Sequence, residues 1–170
     1  VTLYDFNTNV DLVYREYPIE EAPKLDDDNY TPGGSTALHD AIYTAVTETA
    51  KGLSQKEPAN RPDNVIVVVL TDGKENASET HQERVREQVE YRRKEFDWEF
   101  LFIGANQDAA LTAASMGMDE NRSLNMSHSG EGTKAAYEST SERVSQARQE
   151  GTTGTYDEKD RERQRDAKDS

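Results

Sequence analysis

The spacing of apolar residues along the chain switches between the two-residue period of strands and the three-to-four-residue period of helices. Val1 to Phe6 reads as a strand, with Val1, Leu3 and Tyr4 supplying apolar surface. Asn7-Thr8-Asn9 is turn chemistry. The run Val10 to Tyr17 then alternates Val10, Leu12 and Tyr14 with polar neighbours until Pro18, so a hairpin is predicted. Glu20 to Asn29 is an acidic loop. Thr31-Pro32-Gly33-Gly34-Ser35-Thr36 leads into a helix from Ala37 to Gly52 that carries Leu38, Ile42, Ala45, Val46 and Ala50 on one face. Gly52 is a natural stop.

After a polar loop from Lys56 to Asp63, Val65 to Leu70 is unbroken apolar sequence, five of its six residues β-branched. That composition predicts a strand covered on both faces, as in a parallel sheet between helices. Thr71-Asp72-Gly73 ends it. Ser78 or Thr80 is expected to cap a charged helix reaching about Glu95. Trp98 to Ile103 is a second buried strand, closed by Gly104. Gln107 to Met116 is a short Ala-rich helix, and Arg122 to Met126 a last strand. Thr133 to Arg148 is a final helix, with Ala136, Tyr137, Thr140 and Val144 spaced for one face. Strands alternating with helices imply an α/β fold, a three-layer, doubly wound, mostly parallel sheet to which the opening hairpin adds one antiparallel edge strand. Residues 1–150 form this domain. Residues 151–170 are almost wholly charged, offer only Ala167 as an aliphatic side chain, and are expected to be a disordered tail.

Composition narrows the function. With 34 acidic against 20 basic residues the formal charge is −14, which repels nucleic-acid phosphates. Eight Lys against twelve Arg, with no Cys, fit either a protein adapted to high salt (halophilic) or an ordinary acidic one. The absence of Cys rules out disulfides, Cys-ligated zinc, Fe–S clusters and thiol catalysis. The longest apolar run is far too short for a membrane span. A cytoplasmic location is the default expectation for a chain that opens without a leader pattern.

In open α/β sheets, ligands bind beyond the carboxyl ends of the strands. That places the candidates after Phe6, Leu70 and Ile103, and in the loop before the first helix. Two of these stretches are rich in oxygen donors. Ser35 and Thr36 put hydroxyls at a helix start behind a Gly pair, and Asp72 puts a carboxylate at the tip of a buried strand. Oxygen donors of this kind suit Mg²⁺ or Mn²⁺. Asn106, Gln107 and Asp108 follow the Trp98–Ile103 strand on the same edge. They read either as a binding rim or as the cap of the next helix.

The runs Gly33-Gly34-Ser35-Thr36-Ala37-Leu38 and Leu70-Thr71-Asp72-Gly73, with Glu75-Asn76-Ala77-Ser78 and the segment from Trp98 to Ala109, resemble von Willebrand factor A (vWA) domains, in particular stand-alone microbial and phage ones. The likeness covers Val1 to Arg148. It implies a binding module, not an enzyme, with a metal-ion-dependent adhesion site. Thr36 and Asp72 match the family's Thr and Asp ligands, and Ser35, Gly73, Asn106, Gln107 and Asp108 lie at the rim. A protein partner would complete the metal coordination with an acidic side chain. The family's Asp-x-Ser-x-Ser motif has no match here. A first strand–helix unit is therefore expected to be absent, and half the metal site with it.

Two other readings stay open. One is a metal-free truncated relative that acts through protein contacts, with a second chain able to fill the gap. The other is a hydrolase using Ser35, His39 and Asp40 or Asp72, without the Gly-x-Ser-x-Gly elbow such enzymes carry. His81 and His128 read as solvated. Asp26-Asp27-Asp28-Asn29 lacks the central Gly and distant Glu of a calcium loop.

Overall fold

The computed structural model describes residues 1–169. The hairpin forms as expected: β1 (Leu3–Phe6) pairs antiparallel with β2 (Val10–Tyr14), Phe6 opposite Val10. The apolar runs become β3 (Ile66–Thr71) and β4 (Glu99–Ala105), and the last strand is β5 (Ser123–Met126). These three are parallel and adjacent in the order β3-β4-β5, with Val67 beside Phe100 and Ile103 beside Leu124.

Helices cover both faces of the parallel sheet, and hydrophobic burial on each face drives the layering. On one face lie α1 (Leu38–Ser54), α2 (Gln82–Phe96) and α3 (Ala109–Ser115). Their Leu38, Ile42, Val46, Val85, Val89 and Ala113 pack on Val69, Phe100 and Phe102. On the other face, α4 (Gly130–Glu150), through Ala136, and Tyr156, just before α5 (Glu158–Asp169), cover Leu101, Ile103, Leu124 and Met126. Trp98 is buried just before β4, tilted against Phe100. No helix among the described residues is long and apolar enough to cross a membrane.

Three expectations are corrected. The hairpin is not an edge strand of the parallel sheet; it forms a sheet of its own, with no ladder between β1 and β3. The gap is bridged by the α1 side of the core, where Phe6, Val65 and Val67 join the same cluster as Leu38 and Ile42.

The charged tail is helical. Its apolar contribution is limited to Tyr156 and Ala167, both buried, and hydrogen bonds hold the rest. Asp157 and Asp160 cap each other reciprocally at the start of α5, the Asp160 carboxylate accepting from the Asp157 amide at 2.9 Å and the Asp157 carboxylate from the Asp160 amide at 3.1 Å. Gln164 accepts from the Ser127 amide and donates to the Gly132 carbonyl, and the Tyr156 hydroxyl meets Thr140 Oγ1 at 2.8 Å.

Finally, α2 begins later than Ser78 or Thr80 would set it. Both residues are engaged by carboxylates, Glu75 holding Ser78 and Asp40 holding the Thr80 amide, so His81 precedes the helix.

Candidate functional site

The carboxyl ends of β1 and β3 meet at the loop before α1. The Asn7 carbonyl accepts from the Ala37 amide at 2.7 Å, and the Ser35 amide donates to Thr8 Oγ1 at 3.3 Å. Thr36 is clamped from the other side: its amide donates to Asn76 Oδ1 at 2.7 Å and its carbonyl accepts from the Asn76 amide at 3.0 Å. Gly73 is pressed against Thr36. A Cβ on Gly73 would lie closer to Thr36 Oγ1 than any van der Waals contact allows, and 3.4 Å from Thr36 Cβ. Thr36 and the Asp72-Gly73 turn, thirty-six residues apart in sequence, therefore share one pole of the sheet.

Two residues after β4 fix that turn. Asn106 adopts a left-handed φ of 58°, a conformation its short polar side chain tolerates. Its amide donates to the Asp72 carbonyl at 3.1 Å, and its Nδ2 lies 3.4 Å from His128 Nδ1. Gln107 donates to the Gly73 carbonyl at 3.0 Å. Asp108 accepts from the Leu111 amide at 3.1 Å, which makes it the cap of α3. Ser35 and Asp72 are exposed.

One residue not singled out in the sequence, Tyr30, feels the charge of the pole. Partial burial raises the Tyr30 hydroxyl pKa, and the carboxylates of Asp5 and Asp72 push it further the same way. Tyr30 thus lies within electrostatic reach of both carboxylates. Asp5 precedes Phe6 at the end of β1, so the strand-end rule itself pointed beside it. Tyr30 carried no such signal.

The other acidic side chains nearby are committed to structure. Burial alone would raise the Glu75 pKa, but hydrogen bonds from the Ser78 amide, the His39 amide and the Ser78 hydroxyl outweigh it and lower the net value. Burial also opposes ionisation of Asp40, and bonds from Thr80 and Glu79 again prevail. His39 faces Glu75, its Nδ1 4.0 Å from the carboxylate. No hydrogen bond links Ser35 to His39 among the described residues. A cleft of about 450 Å³ beside the pole is lined by Leu38, His39, Lys74, Glu75, Gln82 and Gln107 among others.

As a metal centre the pole is incomplete. Thr36 and Asp72 supply a hydroxyl and a carboxylate, the right donor chemistry for a hard divalent cation, but Mg²⁺ takes about six oxygens. Among the described residues no group of three or more His, Asp or Glu side chains is placed to hold a metal ion. No family model matches the chain, and no curated protein matches it.

The Gly73–Thr36 contact predicts a local effect. Gly73→Ala should cost about 1–2 kcal/mol, because Thr36 must turn away to admit the methyl group. Urea denaturation measures the loss. Amide NMR shifts should concentrate at Thr36, Asn76 and Asn106. A variant as stable as the parent would show that the two loops are not in contact.

Proposed function

We propose that this chain is a non-enzymatic protein-binding module of vWA type, whose reading surface is the pole formed by Ser35, Thr36, Asp72, Gly73, Asn106 and Gln107. The observation that carries the proposal is the packing of Gly73 on Thr36, which brings the exposed Asp72 carboxylate and the Thr36 hydroxyl to one sheet end. Asn106 and Gln107 hold the turn so that little ordering remains to be done on binding, which favours affinity. Catalysis finds less support, since His39 is turned to Glu75 and both acidic residues around it are spent on backbone amides.

In this reading Thr36 and Asp72 are the donors that the chain offers to Mg²⁺ or Mn²⁺, and a partner's acidic side chain and water supply the remainder. Alone, the chain should hold Mg²⁺ only weakly, with a Kd of about 1 mM or above. Titrating ¹⁵N-labelled protein with MgCl₂ to roughly 20 mM should shift the amides of Thr36, Asp72, Gly73 and Asn106, and Asp72→Ala should abolish those shifts. Shifts of the same size in Asp72→Ala would remove the metal from this pole. The proposal would then reduce to its metal-free form, binding through protein contacts alone.

A further inference from the structure

The amino ends of the strands, opposite the pole, carry a surface of a different kind. The C-terminal turns of α2 hold Tyr91, Arg92, Arg93 and Lys94, and the helix ends at Phe96. Asp97 then adopts a left-handed φ of 54°, and the Trp98 amide donates to the Arg92 carbonyl at 3.2 Å. That reversal stops the helix and sends the chain into β4, with Trp98 buried where the strand begins. The result is a cluster of rings around one guanidinium. Arg92 Cζ lies 5.0 Å from the Tyr91 ring centroid, 5.2 Å from that of Phe96 and 5.6 Å from that of Trp98. Tyr91 and Phe96 meet edge to face, their centroids 5.6 Å apart. Both stay exposed, at 49% and 52%.

Arg92 is half-buried, and its side chain makes no hydrogen bond or ion pair among the described residues. Its Nε is buried without a partner, while the terminal nitrogens, equally unpaired, reach the surface. Its neighbours differ. Arg93 donates to the Gly117 carbonyl, and Arg86 and Lys94 share the Glu90 carboxylate. Arg122 and Arg163 also reach carboxylates. In a chain with 34 acidic residues, Arg92 is fixed by packing and yet given no anion. The rings orient its guanidinium and keep water off its faces. A carboxylate arriving at the terminal nitrogens therefore forms a charge-assisted contact in a medium less polar than bulk water. Little side-chain freedom remains to be lost on binding. Tyr and Phe beside Arg is also the composition of the binding centres of protein interfaces.

Two carboxylates limit what can dock. Glu95 and Asp97 are exposed on either side of Phe96, and they repel a run of acidic residues. One carboxylate set among apolar residues meets both demands, the charge on Arg92 and the apolar neighbours against Tyr91 and Phe96. We infer that the Arg92 guanidinium and the exposed rings of Tyr91 and Phe96 bind a segment of a partner protein in which a single Asp or Glu is flanked by apolar residues. Trp98 directly precedes the first residue of β4, so this surface lies at the end of the sheet away from Thr36 and Asp72. It shares no residue with the metal pole and does not depend on it.

Trp98 is the chain's only tryptophan, so its fluorescence and its indole NMR signal report on this surface. The probe is the peptide acetyl-Ser-Leu-Asp-Leu-Ser-amide, titrated into the whole chain, and the control peptide has Asn in place of Asp. The Asp peptide should saturate with a Kd of about 1 mM, shifting the Trp98 signal and the amides of Tyr91 and Phe96. The Asn peptide should bind at least ~10-fold more weakly. Arg92→Gln should lose the response. Phe96→Ala, which removes an exposed ring and should leave the thermal midpoint unchanged, should weaken it by at least ~5-fold. No response to the Asp peptide at about 10 mM, equal binding of the two peptides, or undiminished binding by either variant would overturn the inference. So would vesicles of phosphatidylcholine and phosphatidylserine that perturb Trp98 in the parent but not in Phe96→Ala, because the rings would then serve a membrane surface.

Discussion

Glu99→Ala should lower the stability of this protein by about 3 kcal/mol, more than any change at the surface pole. Glu99 opens β4, and its carboxylate holds the turn that follows α4. It accepts from Thr152 Oγ1 at 2.6 Å and from the Thr153 amide at 2.6 Å, and Arg122 donates to it at 3.3 Å. Thr153 is fully buried, and the Glu99 side chain is only 14% exposed. Removing the carboxylate strands those donors away from water, which is the costly case for a hydrogen bond. Thr152→Ala, which removes one donor and leaves the acceptor served by the others, should cost about 1 kcal/mol. Chemical denaturation of the two variants gives the comparison. Equal losses would mean that Glu99 does not organise the segment.

The same carboxylate sets a pH dependence. Burial by itself raises the Glu99 pKa, but the bonds from Thr152 and Thr153 and the Arg122 charge outweigh it and hold the folded value below the ordinary 4.5. A carboxylate whose pKa is depressed in the folded state adds stability that is fully present above the unfolded value. That contribution disappears as pH falls from about 4.5 through the folded value. The parent protein should therefore lose stability over this window more steeply than Glu99→Gln, which has no charge there to protonate. Parallel slopes for the two would place the acid sensitivity elsewhere, with Glu75 the next candidate because its pKa is lowered by the same kind of bonding.

The tail shows why part of this fold was hidden from a reading of its residues. The parallel strands β3 and β4 were legible because each is an uninterrupted apolar run; β4 is buried along its length, whereas β3, from Val65 to Leu70 in the sequence, is only partly covered and leaves Val68 exposed. Likewise α1 was legible because Leu38, Ile42 and Val46 repeat at helical spacing. The α5 helix carries no such signal. Its attachment depends on Tyr156, Asp160 and Gln164 meeting partners on α4, at the end of β5 and within its own first turn, and polar pairing of that kind has no period. The separation of the hairpin from the parallel sheet is likewise a matter of long-range pairing, which local pattern does not encode. At the pole, the strand-end rule picked out Thr36, Asp72 and Asn106. It picked out Gln107 only as a rim residue and did not show that Asn76 and Gln107 hold the pole, because they act on the backbone of residues far away in sequence. Asp108, equally at a strand end, serves as a helix cap, the plainer of its two readings.

Gly132→Ala should be nearly as damaging as Glu99→Ala, by about 2–3 kcal/mol, although it adds a single methyl group to a helix. Sequence spacing starts this helix at Thr133. In the structure α4 begins at Gly130, with Ser129 accepting from the Gly132 amide at 3.0 Å as its cap. That earlier start folds the first turn back onto the end of β5. A Cβ on Gly132 would lie 2.7 Å from Ser127 Cβ and 2.9 Å from the Ser127 carbonyl carbon, closer still to its oxygen. Backbone cannot swing aside as a side-chain tip can, so either the turn unwinds or β5 shifts. Both outcomes also break the bond from Gln164 to the Gly132 carbonyl, and with it one of the ties holding α5. In a helix interior free of such contact, Gly→Ala stabilises by about 1 kcal/mol. The sign of the change is therefore the test. Thermal unfolding of Gly132→Ala should show a lowered midpoint and faster amide exchange in α5. A raised midpoint would mean that α4 begins at Thr133 after all and that Gly132 lies outside it.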